Sequence, residues 1–130
     1  MARILIIDDE EEVRLVLREA LEYAGYEVVE AGDGQEGLYR YHAAAPDLII
    51  TDLRMPGKGG LETIRELRRE APEVKIIAIS GGDFTGGVDG LDQAKRLGAQ
   101  RVFLKPLRVL EMFDAVREIL QSEESLHKAH

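Results

Sequence analysis

The sequence predicts an α/β fold, a doubly wound five-stranded parallel sheet with helices on both faces. Two observations lead to this prediction. Five short apolar runs, rich in β-branched residues, are continuous rather than alternating in polarity, which suits strands buried on both faces. These runs alternate along the chain with segments of helical periodicity, which predicts βαβ units with right-handed crossovers. The five apolar runs are residues 4–7, 28–29, 48–50, 74–79 and 102–104.

Each of the first three helices ends at a residue that helices do not tolerate well. Apolar residues from Val13 to Ala24 recur at the i, i+3, i+4, i+7 spacing of an amphipathic helix, which Gly25 ends. The second and third helices show the same periodicity. Pro46 and Pro72 stop them, because proline lacks the N–H that a helix needs.

The fourth helix has the weakest pattern, because five of the 13 glycines lie within residues 81–90. Each glycine in a helix interior costs about 1 kcal/mol relative to alanine. We therefore expect this helix to begin late and residues 81–90 to be mobile. The fifth helix, from Val109 to Leu120, is clearly amphipathic, and the polar residues after it should fray. These features predict a domain of residues 1–121 and a polar C-terminal tail of residues 122–130.

The composition argues against several classes of protein. A chain of 130 residues makes one domain, and its 25 acidic and 17 basic residues give a net charge of −8. That charge argues against binding to nucleic acid and against a polybasic membrane anchor. The chain has no cysteine and no apolar run near the roughly 20 residues of a membrane span, and its first apolar run is too short for a secretory signal. We therefore expect a soluble, cytoplasmic protein.

Polar side chains follow four of the five predicted strands. Asp8 and Asp9 follow the first strand, Asp52 the third, Ser80 the fourth and Lys105 the fifth. Ligands of open parallel sheets bind outside the carboxyl ends of the strands, so these side chains should meet in one cleft. Carboxylate ligands without histidine or cysteine suit Mg²⁺. With a hydroxyl and an ammonium group beside them, they indicate a phosphoryl-transfer site.

These residues also have ordinary structural interpretations. Asp8 or Asp9 would serve equally well as the cap of the following helix. Asp52 and Ser80 both suit turns, and Lys105 alone would be a solvated surface lysine. The functional interpretation rests on their joint arrangement rather than on any one of them.

Four motifs give the chain a resemblance to a known family. They are ILIIDDE at residues 4–10, PDLIITDLRMPG at residues 46–57, ISG at residues 79–81 and LKP at residues 104–106. In this order, each at the end of a predicted strand, they resemble the receiver domains of bacterial two-component response regulators. The resemblance covers residues 3–121 and implies the flavodoxin-like receiver fold with strand order 2-1-3-4-5.

The resemblance implies that Asp52 is the phosphoacceptor. Its carboxylate would take a phosphoryl group from a histidine kinase, a histidine phosphotransfer protein or a small phosphodonor, and become an acyl phosphate. Asp9 and Asp52 would ligate Mg²⁺ directly and Asp8 would hold it through water. The backbone carbonyl of Arg54 would add a further ligand.

The resemblance also implies roles for residues at the fourth and fifth strands. Ser80 and Lys105 would bind the phosphoryl group, and Pro106 would follow a cis peptide bond. The family usually has tyrosine or phenylalanine three residues before this lysine, where the chain has Val102. Phe103 should face the core on the other side of the strand. We therefore expect the signal to leave through the glycine-rich loop and the fourth helix instead of a rotating aromatic ring.

The leading hypothesis is a stand-alone response regulator, a signalling switch that takes part in its own phosphorylation and dephosphorylation. Its downstream target would dock on the face of helix 4, strand 5 and helix 5, where Leu91, Val102 and Leu110 form an apolar patch. One alternative is a Mg²⁺-dependent aspartyl-phosphate phosphohydrolase. Such enzymes have a second aspartate two residues after the nucleophile, where this chain has Arg54 after Asp52. A flavin-binding module is a third hypothesis, but acids after the first strand would repel the flavin phosphate.

Overall fold

The computed structural model describes residues 1–53, 59–81 and 87–128, and in this part of the chain five strands alternate with five helices. All strand pairs are parallel and the strand order is β2-β1-β3-β4-β5. This arrangement confirms the predicted fold class and the strand order that the resemblance implies. The elements are β1 (Arg3–Ile7), α1 (Glu11–Tyr23), β2 (Glu27–Ala31), α2 (Gly34–Ala43), β3 (Leu48–Asp52), α3 (Gly60–Glu70), β4 (Lys75–Ser80), α4 (Gly87–Arg96), β5 (Arg101–Leu104) and α5 (Val109–Lys128).

The central strands are buried on both faces, as their continuous apolar sequences predict. Ile4 and Ile6 of β1 pack into one layer, which α1 and α5 cover with Leu17, Met112 and neighbouring side chains. The alternate residues of β1 pack into the opposite layer against side chains of α2, α3 and α4. Because successive side chains of a strand point to opposite faces, one five-residue strand contributes to both halves of the core.

Helix α3 starts directly against the end of β3. A Cβ atom at Gly60 would lie 2.0 Å from the backbone oxygen of Asp52, so only glycine fits at this position. The Gly60 N–H also donates a hydrogen bond to the Leu53 backbone oxygen at 3.1 Å. These contacts fix the backbone at the carboxyl end of the central strand.

Arg68 of α3 joins two loops at the opposite end of the sheet. Its guanidinium donates to the backbone oxygens of Leu97 and Gly98, just after α4, at 2.8 and 2.7 Å. It also donates to the backbone oxygens of Pro72 and Val74, before β4, at 2.9 and 2.6 Å. Burial lowers the pKa of Arg68. Gly98 has φ +96°, and a Cβ there would meet Arg68 Nε at 2.8 Å, so both the conformation and the close approach require glycine.

The last two helices differ in extent from the sequence prediction. Helix α4 begins at Gly87 and includes Gly90, although glycine is unfavourable inside a helix. Residues 82–86, half of the segment expected to be mobile, lie outside the described residues. Helix α5 runs on to Lys128, past the point where a fraying tail was expected. Glutamate, leucine and lysine after Gln121 are good helix formers, which accounts for the extension. The division into a domain and a tail stays a prediction.

Candidate functional site

Four carboxylates meet at the carboxyl edge of the sheet. Asp8 follows β1 and Asp52 ends β3, and these two strands are direct neighbours. Asp8, Asp9, Glu10 and Asp52 each offer an oxygen within 4.8 Å of the others. Asp8 and Asp52 are buried, whereas Asp9 and Glu10 are exposed. The predicted convergence of the three aspartates is therefore present, with Glu10 as a fourth member.

Lys105 reaches into this cluster from the end of β5. Its ammonium nitrogen lies 2.9 Å from Asp52 Oδ2, 3.2 Å from Asp8 Oδ2 and 2.5 Å from Glu10 Oε1. The backbone N–H of Lys105 donates to the backbone oxygen of Ser80 at 2.9 Å. The Lys105–Pro106 peptide bond is cis, as the resemblance implies.

The pKa values of two of these groups reflect burial and the neighbouring charges. Burial lowers the pKa of Lys105, but hydrogen bonds to Glu10 and Asp52 and the charges of Asp8 and Asp52 outweigh it, so the net shift is upward. For Asp8, burial is the largest effect, and the net shift raises the pKa from 3.8 to about 6. The charge of Asp52 also raises the pKa of Asp8, while the Glu10 backbone N–H and Lys105 lower it. An ionised Asp8 is therefore costly until more positive charge is present.

The two oxygens of Asp8 have different surroundings. Oδ1 accepts a hydrogen bond from the backbone N–H of Glu10 at 2.8 Å. Oδ2 is buried and has no hydrogen-bond donor among the described residues, although Lys105 forms an ion pair with it. A buried oxygen without a donor retains a lone pair for another ligand. This oxygen and the all-carboxylate donor set fit a hard divalent cation such as Mg²⁺.

Ser80 lies at the same edge of the sheet. It ends β4, one residue beyond Ile79, which pairs with Asp52. The residue is buried, and its hydroxyl donates to the Gly81 backbone oxygen at 3.4 Å, a long and weak hydrogen bond. A hydroxyl held this weakly can turn toward another acceptor at small cost. Arg54, the predicted backbone ligand, lies outside the described residues.

Strand β5 places Val102, which departs from the family pattern, and its neighbour Phe103 on opposite faces, as the alternation along the strand predicts. Val102 packs against the core layer of α2, α3 and α4, and Phe103 packs against the layer of α1 and α5. Leu104 and Leu110 are exposed, at 62% and 79%. The side chain of Leu91, the third member of the predicted docking patch, lies outside the described residues. The structure thus describes the β5 and α5 parts of this face.

Two residues at the site were not assigned a role from the sequence. Glu10 follows Asp8 and Asp9 after β1, but nothing in the sequence predicts that its side chain binds Lys105. Arg14 of α1 donates to the Asp8 backbone oxygen at 2.7 Å and forms an ion pair with Glu30 of β2 at 3.1 Å. It therefore ties the acid-bearing loop to the neighbouring strand. The sequence signal for this role is the position of Arg14 on the side of α1 that faces β2.

Comparison with known proteins identifies the family. The family model of the response regulator receiver domain matches residues 4–117 of this chain. The chain is 34% identical over 119 residues to the probable transcriptional regulator ycf27 of Guillardia theta, covering 92% of this chain and 45% of that protein. It is 30% identical over 118 residues to sporulation initiation phosphotransferase F of Bacillus subtilis, covering 91% of this chain and 93% of the relative. A response regulator receiver domain protein from Clostridium thermocellum has a similar structure, with a TM-score of 0.86 at 29% identity over 97% of this chain and 99% of that one.

This chain belongs to the response regulator receiver domain family. It spans about half the length of the ycf27 regulators that it matches. Receiver domains are signalling switches of two-component systems, which is the class of function predicted from the four motifs. Among the helices of the described residues, none has the length and apolar character needed to cross a membrane.

Proposed function

We propose that this receiver domain accepts a phosphoryl group on Asp52, with Mg²⁺ bound beside it, and thereby changes its contacts with other proteins. The phosphodonor is a histidine kinase or a histidine phosphotransfer protein. The observation that carries the proposal is the position of the Lys105 ammonium group, which bridges the buried carboxylates of Asp8 and Asp52.

The chemistry follows from the groups around Asp52. One carboxylate oxygen of Asp52 attacks the phosphorus of a phosphohistidine, and a P–O bond forms as the P–N bond breaks. The bonding electron pair leaves with the imidazole nitrogen, which then takes up a proton. Lys105, 2.9 Å from Asp52, supplies a positive charge that pairs with a phosphoryl oxygen. The Ser80 hydroxyl has only a weak bond to release before it donates to another phosphoryl oxygen.

The acidic residues supply the sites that would hold the metal. Asp9 and Asp52 would be direct ligands together with the Arg54 backbone carbonyl, and Asp8 would act through water. When bound, Mg²⁺ neutralises charge on the phosphoryl oxygens. The buried Asp8 Oδ2 without a hydrogen-bond donor and the raised pKa of Asp8 support this assignment.

Incubation with acetyl phosphate and Mg²⁺ tests the acceptor, with intact mass as the readout. The wild type should gain one phosphoryl group and Asp52→Asn should gain none. Asp114→Asn is the matched control, because Asp114 is an exposed aspartate paired with Arg117 on α5, and it should behave as the wild type. A stable phosphoryl group on Asp52→Asn at the wild-type stoichiometry would show that the acceptor is a different residue.

The output is proposed to be protein contact through α4, β5 and α5. The exposed Leu104 and Leu110 support an apolar docking patch on this face. Capture of target proteins with and without beryllofluoride, which mimics the acyl phosphate, tests this part of the proposal. A target that binds equally in both conditions would not be controlled by phosphorylation.

The relatives include a protein matched over 93% of its length and regulators about twice as long. Stand-alone action therefore stays a prediction. Cytoplasmic location also stays a prediction.

A further inference from the structure

The Lys105 ammonium group is divided among three acids before any phosphoryl group arrives. It has three N–H donors and three carboxylate neighbours, and the contact with Glu10 is the shortest, at 2.5 Å. A phosphoryl oxygen on Asp52 must compete with these carboxylates for Lys105. One of the three must therefore give way if the lysine is to bind the phosphoryl group fully.

Glu10 is the neighbour that can leave at least cost. Its side chain is 58% exposed, whereas those of Asp8 and Asp52 are 0% and 4% exposed. Its backbone is held by the bond from its N–H to Asp8 Oδ1, so the side chain can swing while the acid-bearing loop stays in place. The side chain also borders an open groove lined by Val13, Val16 and Leu107. A released Glu10 carboxylate can move into solvent there.

We propose that Glu10 is the counter-ion that holds Lys105 before phosphorylation, and that Lys105 exchanges Glu10 for a phosphoryl oxygen when Asp52 is phosphorylated. The proposal rests on the proposed phosphoryl transfer and adds a positioning residue to it. Glu10 acts through Lys105. A stronger ion pair between Glu10 and Lys105 makes phosphorylation of Asp52 less favourable. The negative charge of Glu10 also repels the incoming phosphoryl group. Both effects disfavour phosphorylation of Asp52, so neutralising Glu10 should speed it.

The first test measures Lys105 without metal or phosphodonor. Only the neutral amine reacts with acetic anhydride, so the rate of acetylation falls when a carboxylate stabilises the ammonium form. Trypsin releases Lys105 in the peptide of residues 102–108 whether or not it is acetylated, because Pro106 blocks cleavage after Lys105. Mass spectrometry of this one peptide therefore gives the rate directly.

Glu10→Gln should raise the acetylation rate of Lys105 roughly two- to tenfold, the range for losing a partly exposed charged hydrogen bond. Glu12→Gln is the matched control. It removes one negative charge from the same groove. Glu12 is not among the described residues that form an ion pair with Lys105, which are Asp8, Glu10 and Asp52. Circular dichroism confirms that each variant is folded. Equal rates in wild type and folded Glu10→Gln, or equal increases in both variants, would overturn the proposal.

The second test measures the exchange itself. Phosphorylation by acetyl phosphate is followed at Mg²⁺ concentrations raised until the rate no longer changes, which removes any difference in metal affinity. Glu10→Gln should reach a rate two- to tenfold above wild type, and Glu12→Gln should match wild type. A wild-type rate in Glu10→Gln despite faster acetylation would refute the exchange. A wild type that is not phosphorylated at all would instead refute the proposed function.

Discussion

Replacing Asp8 with asparagine should stabilise the metal-free protein at neutral pH. Asp8 is fully buried, and burial is the main reason that its pKa is about 6 in the folded protein rather than 3.8. The folded state therefore binds the Asp8 proton more tightly than the unfolded state does, and ionising Asp8 costs stability. Asparagine removes this cost, and its side-chain oxygen can still accept the hydrogen bond from the Glu10 backbone.

The size and pH dependence of this effect follow from the two pKa values. Between 3.8 and about 6 the unfolded chain releases its proton first, so stability falls as pH rises through this window. The cost amounts to about 3 kcal/mol above pH 7, about half of that near pH 5, and almost nothing below pH 4. The free energy of unfolding of Asp8→Asn minus that of wild type should follow the same curve.

Urea unfolding in EDTA, followed by circular dichroism at pH 3.5, 5 and 7.5, measures this difference. Asp9→Asn is the matched control, because Asp9 is the exposed neighbour in the same acid pair. Its effect should stay within about 1 kcal/mol at each pH, as for most surface substitutions. A difference between Asp8→Asn and wild type that is absent at pH 7.5, or that grows as pH falls, would refute the raised pKa of Asp8.

Three further predictions concern the metal, the backbone and the docking face. Millimolar Mg²⁺ should raise the melting temperature of the wild type but not of Asp9→Ala, since a cation that binds only the folded state stabilises it; an unmoved wild-type melting temperature would contradict the metal site. Gly60→Ala should lose about 2–4 kcal/mol in urea unfolding, because its Cβ would overlap the Asp52 backbone oxygen. Gly59→Ala, whose Cβ would lie 3.9 Å from its nearest neighbour, should lose less than about 1 kcal/mol, and equal losses would refute the steric argument. Leu110→Asp should weaken capture of a target by the beryllofluoride-bound protein at least about tenfold, as for an interface anchor, whereas Leu15→Asp, on the exposed side of α1, should not.

The fold and most of the site could be predicted because they depend on residue order. Strands that alternate with helices define the fold class, and polar residues at the ends of parallel strands must share one edge of the sheet. The positions of Asp8, Asp52 and Lys105 at strand ends predict that these residues lie together, and the structure brings them into contact. The strand order came from the family resemblance, since apolar runs alone do not specify which strands are neighbours.

The remaining features depend on side-chain direction and close approach, which periodicity does not contain. Glu10 meets Lys105 although β3 and β4 separate β1 from β5, because the long lysine side chain reaches across the edge of the sheet. The contact of Gly60 with the Asp52 backbone is equally invisible in a sequence where glycine also marks turns. Val16 has the spacing of the buried face of α1 but is half exposed. Helical periodicity shows which side of a helix is apolar, but not how much of that side the neighbouring elements cover.

Two of the four hydrogen bonds of Arg68 anchor the C-terminal end of α4. They hold the backbone just after α4 to α3, on the side of the sheet away from the carboxylates. A helix of ten residues is about 15 Å long, so a tilt of about 10° around that fixed end would carry its first turn roughly 2.6 Å. If α4 tilts around that end, the displacement is largest at Gly87 and smallest near Gly98. Arg68 would thus set which end of α4 can move, and a protein that responds to such a movement would contact the first turn of the helix.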